Sequence, residues 1–164
     1  MIQSSQQHET LDELDMALLR TLQQNGRLSN VDLARTINLS PPATHTRLRR
    51  LEQQGYIRQY TALLNREKAG YDLLCFILVS LQILQSEQLE ESHKIIRSMP
   101  EVLECHYITG EYDYLLKVIL HDRQDLAHFV MKRLTSIAGV ARVQTCVAMS
   151  EIKCTTALPL EGDS

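Results

Sequence analysis

The feature that most constrains this chain is a three-residue turn, Asn38-Leu39-Ser40, between two short helical patterns. Asn38 is one of the few non-glycine residues that tolerate a left-handed backbone. Ser40 followed by Pro41 is a strong start signal for the next helix, because serine caps the helix and proline suits its first position. A chain that reverses direction within three residues must pack the two helices together as one compact unit.

The first 55 residues are predicted to form three helices, each with its own start signal. Asp12 caps the first helix and Asp15 follows at the third helical position. Ser29 caps a short second helix. The third helix starts after Ser40 and is predicted to run to Gly55, a residue that commonly ends helices.

The third helix has one apolar and one polar side. Thr44, Leu48 and Leu51 cluster on a helical wheel and are predicted to pack against the first two helices. The opposite side carries side chains that can contact phosphates and base edges: Pro42, Thr46, Arg49, Arg50 and Gln53, with His45 and Arg47 at its margins. Arginine presents a planar fork to guanine or phosphate, while threonine and glutamine donate or accept hydrogen bonds.

This arrangement is typical of a helix-turn-helix, whose second helix enters the major groove of double-stranded DNA. An ordinary solvated basic helix is the alternative. The tight turn, the caps and the local charge together favour DNA binding. Residues 35–58 contain five arginines and one acid, whereas the whole chain has a net charge of −3. That balance argues against a protein that coats nucleic acid indiscriminately.

The remainder of the chain predicts an α+β domain. Tyr56-Ile57, Tyr60 and Leu63-Leu64 have strand-like spacing, so residues 56–72 are predicted to form a connecting strand and a linker. From Leu73 the order is β-α-β-β-α-β, with strands at 73–83, 102–108, 114–120 and 140–152, and helices at 86–98 and from Asp122 to near Ser136. This order predicts a ferredoxin-like fold with both helices on one face of an antiparallel sheet. The uncovered face is apolar enough to pair with a second copy.

Several classes of protein are disfavoured. Residues 1–10 lack the pattern of a secretory signal, and the apolar stretch 73–84 is shorter than the roughly 20 residues of a membrane-spanning helix, so we expect a cytoplasmic protein. The four cysteines are widely spaced, which predicts reduced thiols and no metal site.

An enzyme is also disfavoured. The carboxylates Glu111, Asp113 and Asp122 are accompanied by no nucleophile–base pair and no phosphate-binding glycine loop. We therefore expect neither catalysis nor a cofactor.

Eight segments resemble the leucine-responsive regulatory protein (Lrp/AsnC) family, and the resemblance covers residues 11–160. They are 25–34, 39–41, 47–52 and 54–57 in the first part of the chain, and 60–65, 104–106, 110–117 and 155–159 in the second. The resemblance implies a DNA-binding regulator that dimerises through its C-terminal sheet and assembles further into tetramers or octamers. It also implies a small effector, commonly an amino acid, bound between subunits.

Alignment with the family implies an effector pocket at Tyr107, Gly110, Asp113, Arg123, Cys146, Val147 and Ala148. Gly110 lets backbone N–H groups approach a carboxylate, and Asp113 can meet an ammonium group. The alternative is that residues 110–113 are simply a hairpin turn. Ser29, Asn30 and Ser40 join the exposed side chains of the third helix as predicted DNA contacts.

These observations predict a disordered tail at 1–10, a winged-helix-like helix-turn-helix domain at 11–58, a connecting strand and linker at 59–72, and a ferredoxin-like effector-binding and oligomerisation domain at 73–160. The predicted function is transcriptional regulation modulated by an amino acid. The alternative is an architectural DNA-binding protein that responds to no effector.

Overall fold

A computed structural model describes residues 11–82 and 86–160. The predicted tail at 1–10 and the predicted end of the first strand at residue 83 lie outside the described residues. The described chain divides into two compact units, residues 11–63 with 154–160, and residues 64–153.

The first unit contains three helices, α1 (Glu13–Gln24), α2 (Asn30–Thr36) and α3 (Pro41–Gln53). Leu18 and Leu51 are fully buried, and with Leu19 and Ile37 they form its core. The three predicted helices are confirmed. Each begins after a residue whose side chain accepts a hydrogen bond from a backbone N–H group of the first turn.

The predicted caps and turn are confirmed. Asp12 and Asp15 form a reciprocal capping box on α1. Ser29 and Ser40 accept hydrogen bonds from the backbone N–H groups of Asp32 and Ala43. Asn38 has the left-handed backbone expected of it, with φ of 53°.

The predicted connecting strand is wrong. Residues 57–65 form no strand. Tyr56 and Ile57 pack instead against the helical core of the first unit, and the Tyr60 hydroxyl donates to Glu52 at 2.9 Å. The first part of the apolar spacing that suggested a strand therefore reflects packing on the helices, whereas Leu63 and Leu64 are exposed.

Residues 154–160 belong to the first unit, whereas the prediction assigned them to the second domain. The side-chain amide of Gln23 donates to the carbonyl of Leu158 at 3.1 Å, and the N–H of Leu158 donates back to Gln23 at 2.6 Å. Leu160 packs on the helical core. An extended segment with no strand beside it is thus held by one side chain of α1 and by apolar burial.

The second unit has the predicted ferredoxin-like β-α-β-β-α-β order. Its elements are β1 (Leu73–Leu81), α4 (Ser86–Arg97), β2 (Val102–Tyr107), β3 (Tyr114–Leu120), α5 (Arg123–His128), a π-helical continuation (Phe129–Leu134) and β4 (Val140–Val147). The sheet order is β2-β3-β1-β4, with every pairing antiparallel. Alternate residues of β1 and β3, among them Ile77 and Leu116, are buried with the apolar sides of the two helices.

The final strand is shorter than predicted, ending at Val147 instead of Ile152. Val147 lies opposite Cys75, and the N–H of Ala148 donates to Leu74 at 2.8 Å. Because β1 begins at Leu73, this register leaves no residue of that strand opposite residues 150–152. Strand length is therefore set here by the partner.

The predicted helix after Asp122 also changes character, because its second half is π-helical. The N–H of Thr135 donates to the carbonyl of Val130, five residues earlier, at 3.1 Å. This wider turn places Phe129 and Leu134, five residues apart, both in the core.

In the described part of the chain, none of the helices is both long and apolar enough to cross a membrane.

Candidate DNA interface and effector site

The inner side of α3 holds this helix firmly in the first unit. Thr44 is fully buried, and its hydroxyl donates to the carbonyl of Ser40 at 3.1 Å. Leu51 is also fully buried, and Leu48 is half-buried against the same core. The rotation of α3 about its own axis is thereby defined, and with it the set of side chains that face outward.

Most residues predicted on the outer side of α3 are exposed, namely Pro42, His45, Thr46, Arg49 and Gln53. The hydroxyl of Thr46 donates to the carbonyl of Pro42 at 3.0 Å, which leaves its oxygen lone pairs available to an external donor. Within the described residues, Arg49 forms no ion pair. Its positive charge is therefore directed at solvent.

Arg50, predicted on the exposed side, is partly exposed, with 39% of its side chain accessible, and it is paired with a buried carboxylate. Its Nη2 donates to Oδ2 of Asp15, a residue of α1 with only 1% of its side chain exposed. Arg47 also donates to Asp15, at 2.9 Å, and to Asp12 at 2.6 Å. The hydrogen bonds that Arg47 donates to Asp12 and, with a smaller effect, to Asp15 raise the pKa of Arg47 above its ordinary value. The sequence carried no local signal for this cluster, because its partners lie more than thirty residues apart.

The three further residues predicted to contact DNA lie where α2 and α3 begin. Ser29 and Ser40 are exposed caps. The side-chain amide of Asn30 donates to the carbonyl of Pro41 at 2.8 Å. Asn30 therefore ties the start of α2 to the start of α3.

The residues predicted for the effector pocket fall into two groups. Tyr107, Gly110 and Asp113 belong to the β2–β3 hairpin. Gly110 has φ of 123°, in the region that favours glycine, and a Cβ built there would have no atom within 4 Å. Asp113 joins this hairpin to β1, since its carboxylate accepts from the N–H of Leu81 at 2.6 Å and its own N–H donates to Val79 at 3.0 Å.

The second group lies at the opposite end of the sheet. Cys146 and Val147 pair with the start of β1. Arg123 is exposed at the start of α5, just after the end of β3 that pairs with Leu73. Four residues of β1 separate the two ends, which at ~3.3 Å per residue is about 13 Å. One protomer therefore does not bring all seven predicted residues around a single small ligand.

A cavity of about 250 Å³ between α4 and β2 adds residues that sequence reasoning missed. The predicted residue Tyr107 lines it together with five others: His93, Ile96, Arg97, Cys105 and Tyr114. Nε2 of His93 lies 2.6 Å from the Tyr114 hydroxyl, and the rings of Tyr107 and Tyr114 meet edge to face at 5.4 Å. Burial raises the pKa of Tyr114 and of the Cys105 thiol. These residues come from three elements, so no single motif identifies the cavity.

Family models match both units of the chain. The winged helix-turn-helix DNA-binding model matches residues 11–58, and the Lrp/AsnC ligand binding domain model matches residues 74–158. The chain belongs to the Lrp/AsnC family. As a member of this family it is a DNA-binding transcriptional regulator with a ligand-binding domain.

Relatives of this Lrp/AsnC regulator are similar over nearly their full length. The leucine-responsive regulatory protein of Escherichia coli K12 is 37% identical over 143 residues, which is 87% of each chain. That of Haemophilus influenzae is 36% identical over 154 residues, covering 94% of this chain and 93% of the relative.

Solved structures of proteins from the same family are similar to this chain. A transcriptional regulator from Neisseria meningitidis, in a complex with L-methionine, is 43% identical with a TM-score of 0.89, covering 93% of this chain and 98% of that chain. AsnC of E. coli is 26% identical with a TM-score of 0.83, covering 92% and 99%. The two sequence relatives are named as regulatory proteins, and the N. meningitidis structure is that of a transcriptional regulator.

Proposed function

We propose that α3 reads the major groove of its operator through Pro42, His45, Thr46, Arg49 and Gln53, with Ser29, Asn30 and Ser40 near the backbone of the duplex. The observation that carries this proposal is the outward-directed charge of Arg49 beside polar, exposed neighbours. Arginine at such a position can bind guanine or phosphate, which supplies both sequence readout and charge neutralisation.

Fluorescence anisotropy with a labelled operator duplex at several salt concentrations tests this interface. Arg49→Ala is expected to weaken binding and to reduce the slope of log affinity against log salt by about 1, because one phosphate contact is lost. Lys132→Ala removes the same charge from an exposed position in the second unit, and is expected to leave the slope unchanged. Equal slopes for Arg49→Ala and wild type would contradict the assignment of this face.

We also propose that an amino acid is the effector and that it binds where two copies meet. Two groups of predicted pocket residues about 13 Å apart cannot contact one small ligand within a protomer, but two copies can bring them together. A relative that was solved with L-methionine supports an amino acid as the ligand class.

Thermal shift of the full chain with L-methionine, L-leucine and L-asparagine tests this proposal, because a ligand that binds only the folded state raises the melting temperature. Asp113→Asn keeps an oxygen that can accept from Leu81 but removes the charge that would bind an ammonium group, so we expect it to abolish the shift. Asp72→Asn is the control, at an exposed carboxylate of the same unit. If none of the three amino acids raised the melting temperature, the result would favour the alternative of an architectural DNA-binding protein that responds to no effector.

The proposed assembly is a homodimer joined through the uncovered face of the sheet, with further association into tetramers or octamers. Phe76, Leu78, Leu115 and Ile119 point to this face, opposite the core, and Phe76 is 38% exposed. Burying such a face against a second copy removes apolar surface from water. We place the protein in the cytoplasm, since that is where a bacterial regulator meets its DNA.

A further inference from the structure

We propose that Asp15 is a positioning and specificity-determining residue that holds Arg47 and Arg50 away from DNA, so that Arg49 is the arginine of α3 that reaches the duplex. This inference rests on the proposed function of α3. It concerns a carboxylate on α1, outside the helix-turn-helix itself.

Asp15 uses both carboxylate oxygens to bind the two arginines. Oδ1 accepts from Arg47 at 2.9 Å, and Oδ2 accepts from Arg50. Asp15 is almost completely buried, while the two arginine side chains are only partly exposed. The charges of the arginines are therefore directed inward, toward α1.

Asp15 cannot follow the arginines outward, because α1 fixes its position. Its Oδ2 also accepts from the N–H of Asp12 at 3.2 Å as part of the capping box. Leu18 and Leu19, on the following turn, are buried in the core. An arginine that left Asp15 for a phosphate would leave a buried carboxylate uncompensated, and this is unfavourable in a protein interior.

Helical geometry separates Arg49 from the other two. Arg47 and Arg50 are three residues apart and share one side of α3. Arg49 is rotated from Arg50 by about 100° and is exposed. Two adjacent arginines with the same chemistry thus have different environments.

This separation limits DNA binding that is independent of sequence. Affinity for any duplex grows with the number of phosphates that the protein neutralises. Because Asp12 and Asp15 pair with Arg47 and Arg50, α3 adds to that number through Arg49. Recognition then depends more strongly on base contacts.

The first experiment compares Arg49→Gln with Arg50→Gln in the full chain, using operator and random-sequence duplexes over a range of salt. Arg49→Gln is expected to reduce the salt slope by about 1. Arg50→Gln is expected to keep the wild-type slope while lowering the melting temperature, because Asp15 loses a charged partner.

The second experiment uses Asp15→Asn, which preserves shape and removes the charge. It releases both arginines, so we expect severalfold tighter binding to the random-sequence duplex, a slope steeper by about 1 to 2, and a smaller ratio of operator to random affinity. Glu13→Gln removes a charge from an exposed position of α1, and is expected to change none of these. If Asp15→Asn fails to fold, the salt slopes of Arg49→Gln and Arg50→Gln still test the inference.

A loss of slope in Arg50→Gln equal to that in Arg49→Gln would overturn the inference while leaving the proposed function intact. An unchanged slope in a folded Asp15→Asn protein would also overturn it. If neither arginine variant changed the slope, α3 would not face DNA, and the proposed function would fail with the inference.

Discussion

At the scale of single residues, the role of a polar side chain in this protein depends more on the group it hydrogen-bonds than on its residue type. Thr44 is fully buried on a helix predicted to bind DNA, and its hydroxyl donates to the carbonyl of Ser40. Asp113, predicted to bind a ligand, already accepts a backbone hydrogen bond from Leu81. A buried or half-buried polar side chain must find such a partner to offset the loss of water.

Tyr60 gives a prediction about pH. Burial, together with the hydrogen bond to Glu52, raises its pKa from 10 to about 12. A group whose pKa is raised by folding contributes stability that is complete below pH 10 and is lost as pH rises through 12. The difference in free energy of unfolding between wild type and Tyr60→Phe should therefore shrink between these values in urea denaturation.

Absorbance titration at alkaline pH provides an independent check. The difference between wild type and Tyr60→Phe isolates one phenol and should show a midpoint of about 12. A midpoint near 10 would mean that Tyr60 is fully solvated and lacks the bond to Glu52.

At the scale of elements, capping residues decide where helices start. Asp122 precedes α5, and its Oδ1 accepts from the N–H groups of Gln124 at 2.7 Å and Asp125 at 2.9 Å. Both N–H groups would otherwise have no partner inside the helix. The start of α5 was therefore predictable, whereas its π-helical second half was not.

Asp122→Ala is expected to lower the free energy of unfolding by about 1 kcal/mol, the usual effect of losing an N-cap. Asp122→Asn retains an acceptor and should lose much less. Urea denaturation of both variants checks this. Equal losses would show that the negative charge, and not the hydrogen bonds, stabilises α5.

At the scale of the whole molecule, the sheet of the second unit has two different faces. One is covered by α4 and α5 and contains the fully buried Ile77 and Leu116. The other carries Phe76 together with the ion pair between Lys117 and Glu104. Lys117 lowers the pKa of Glu104, with a smaller effect from His106. A face that combines apolar and paired charged groups suits association with a copy of itself.

If the protein dimerises through this face as proposed, Phe76→Glu is expected to shift it toward monomers in analytical ultracentrifugation, because the new charge would be buried in the proposed dimer. Met131→Glu is the control, since Met131 is 71% exposed on the opposite side of the unit. It should leave the dimer intact. Dimers that persist in Phe76→Glu at micromolar concentration would place the interface elsewhere.

Local signals were enough to predict much of the fold. The caps at Asp12, Ser29 and Ser40, the turn at Asn38, and the order of strands and helices all follow from residues within about four positions of one another. These signals work because capping bonds and left-handed turns are formed between near neighbours in the chain. The outward position of Arg49 also follows from the apolar side of its own helix.

Features with distant partners were decided only by the tertiary structure. Arg50 turns inward because Asp15, thirty-five residues earlier, is buried beside it. Residues 150–152 extend no strand because β1 begins at Leu73 and has no residue opposite them, and the predicted effector residues separate because the register places them at opposite ends of the sheet. The sequence alone determined most of the helices and strands, because the signals that start and stop them are local. Which charges stay exposed, where strands end, and the absence of a strand after Tyr56 depended on non-local contacts.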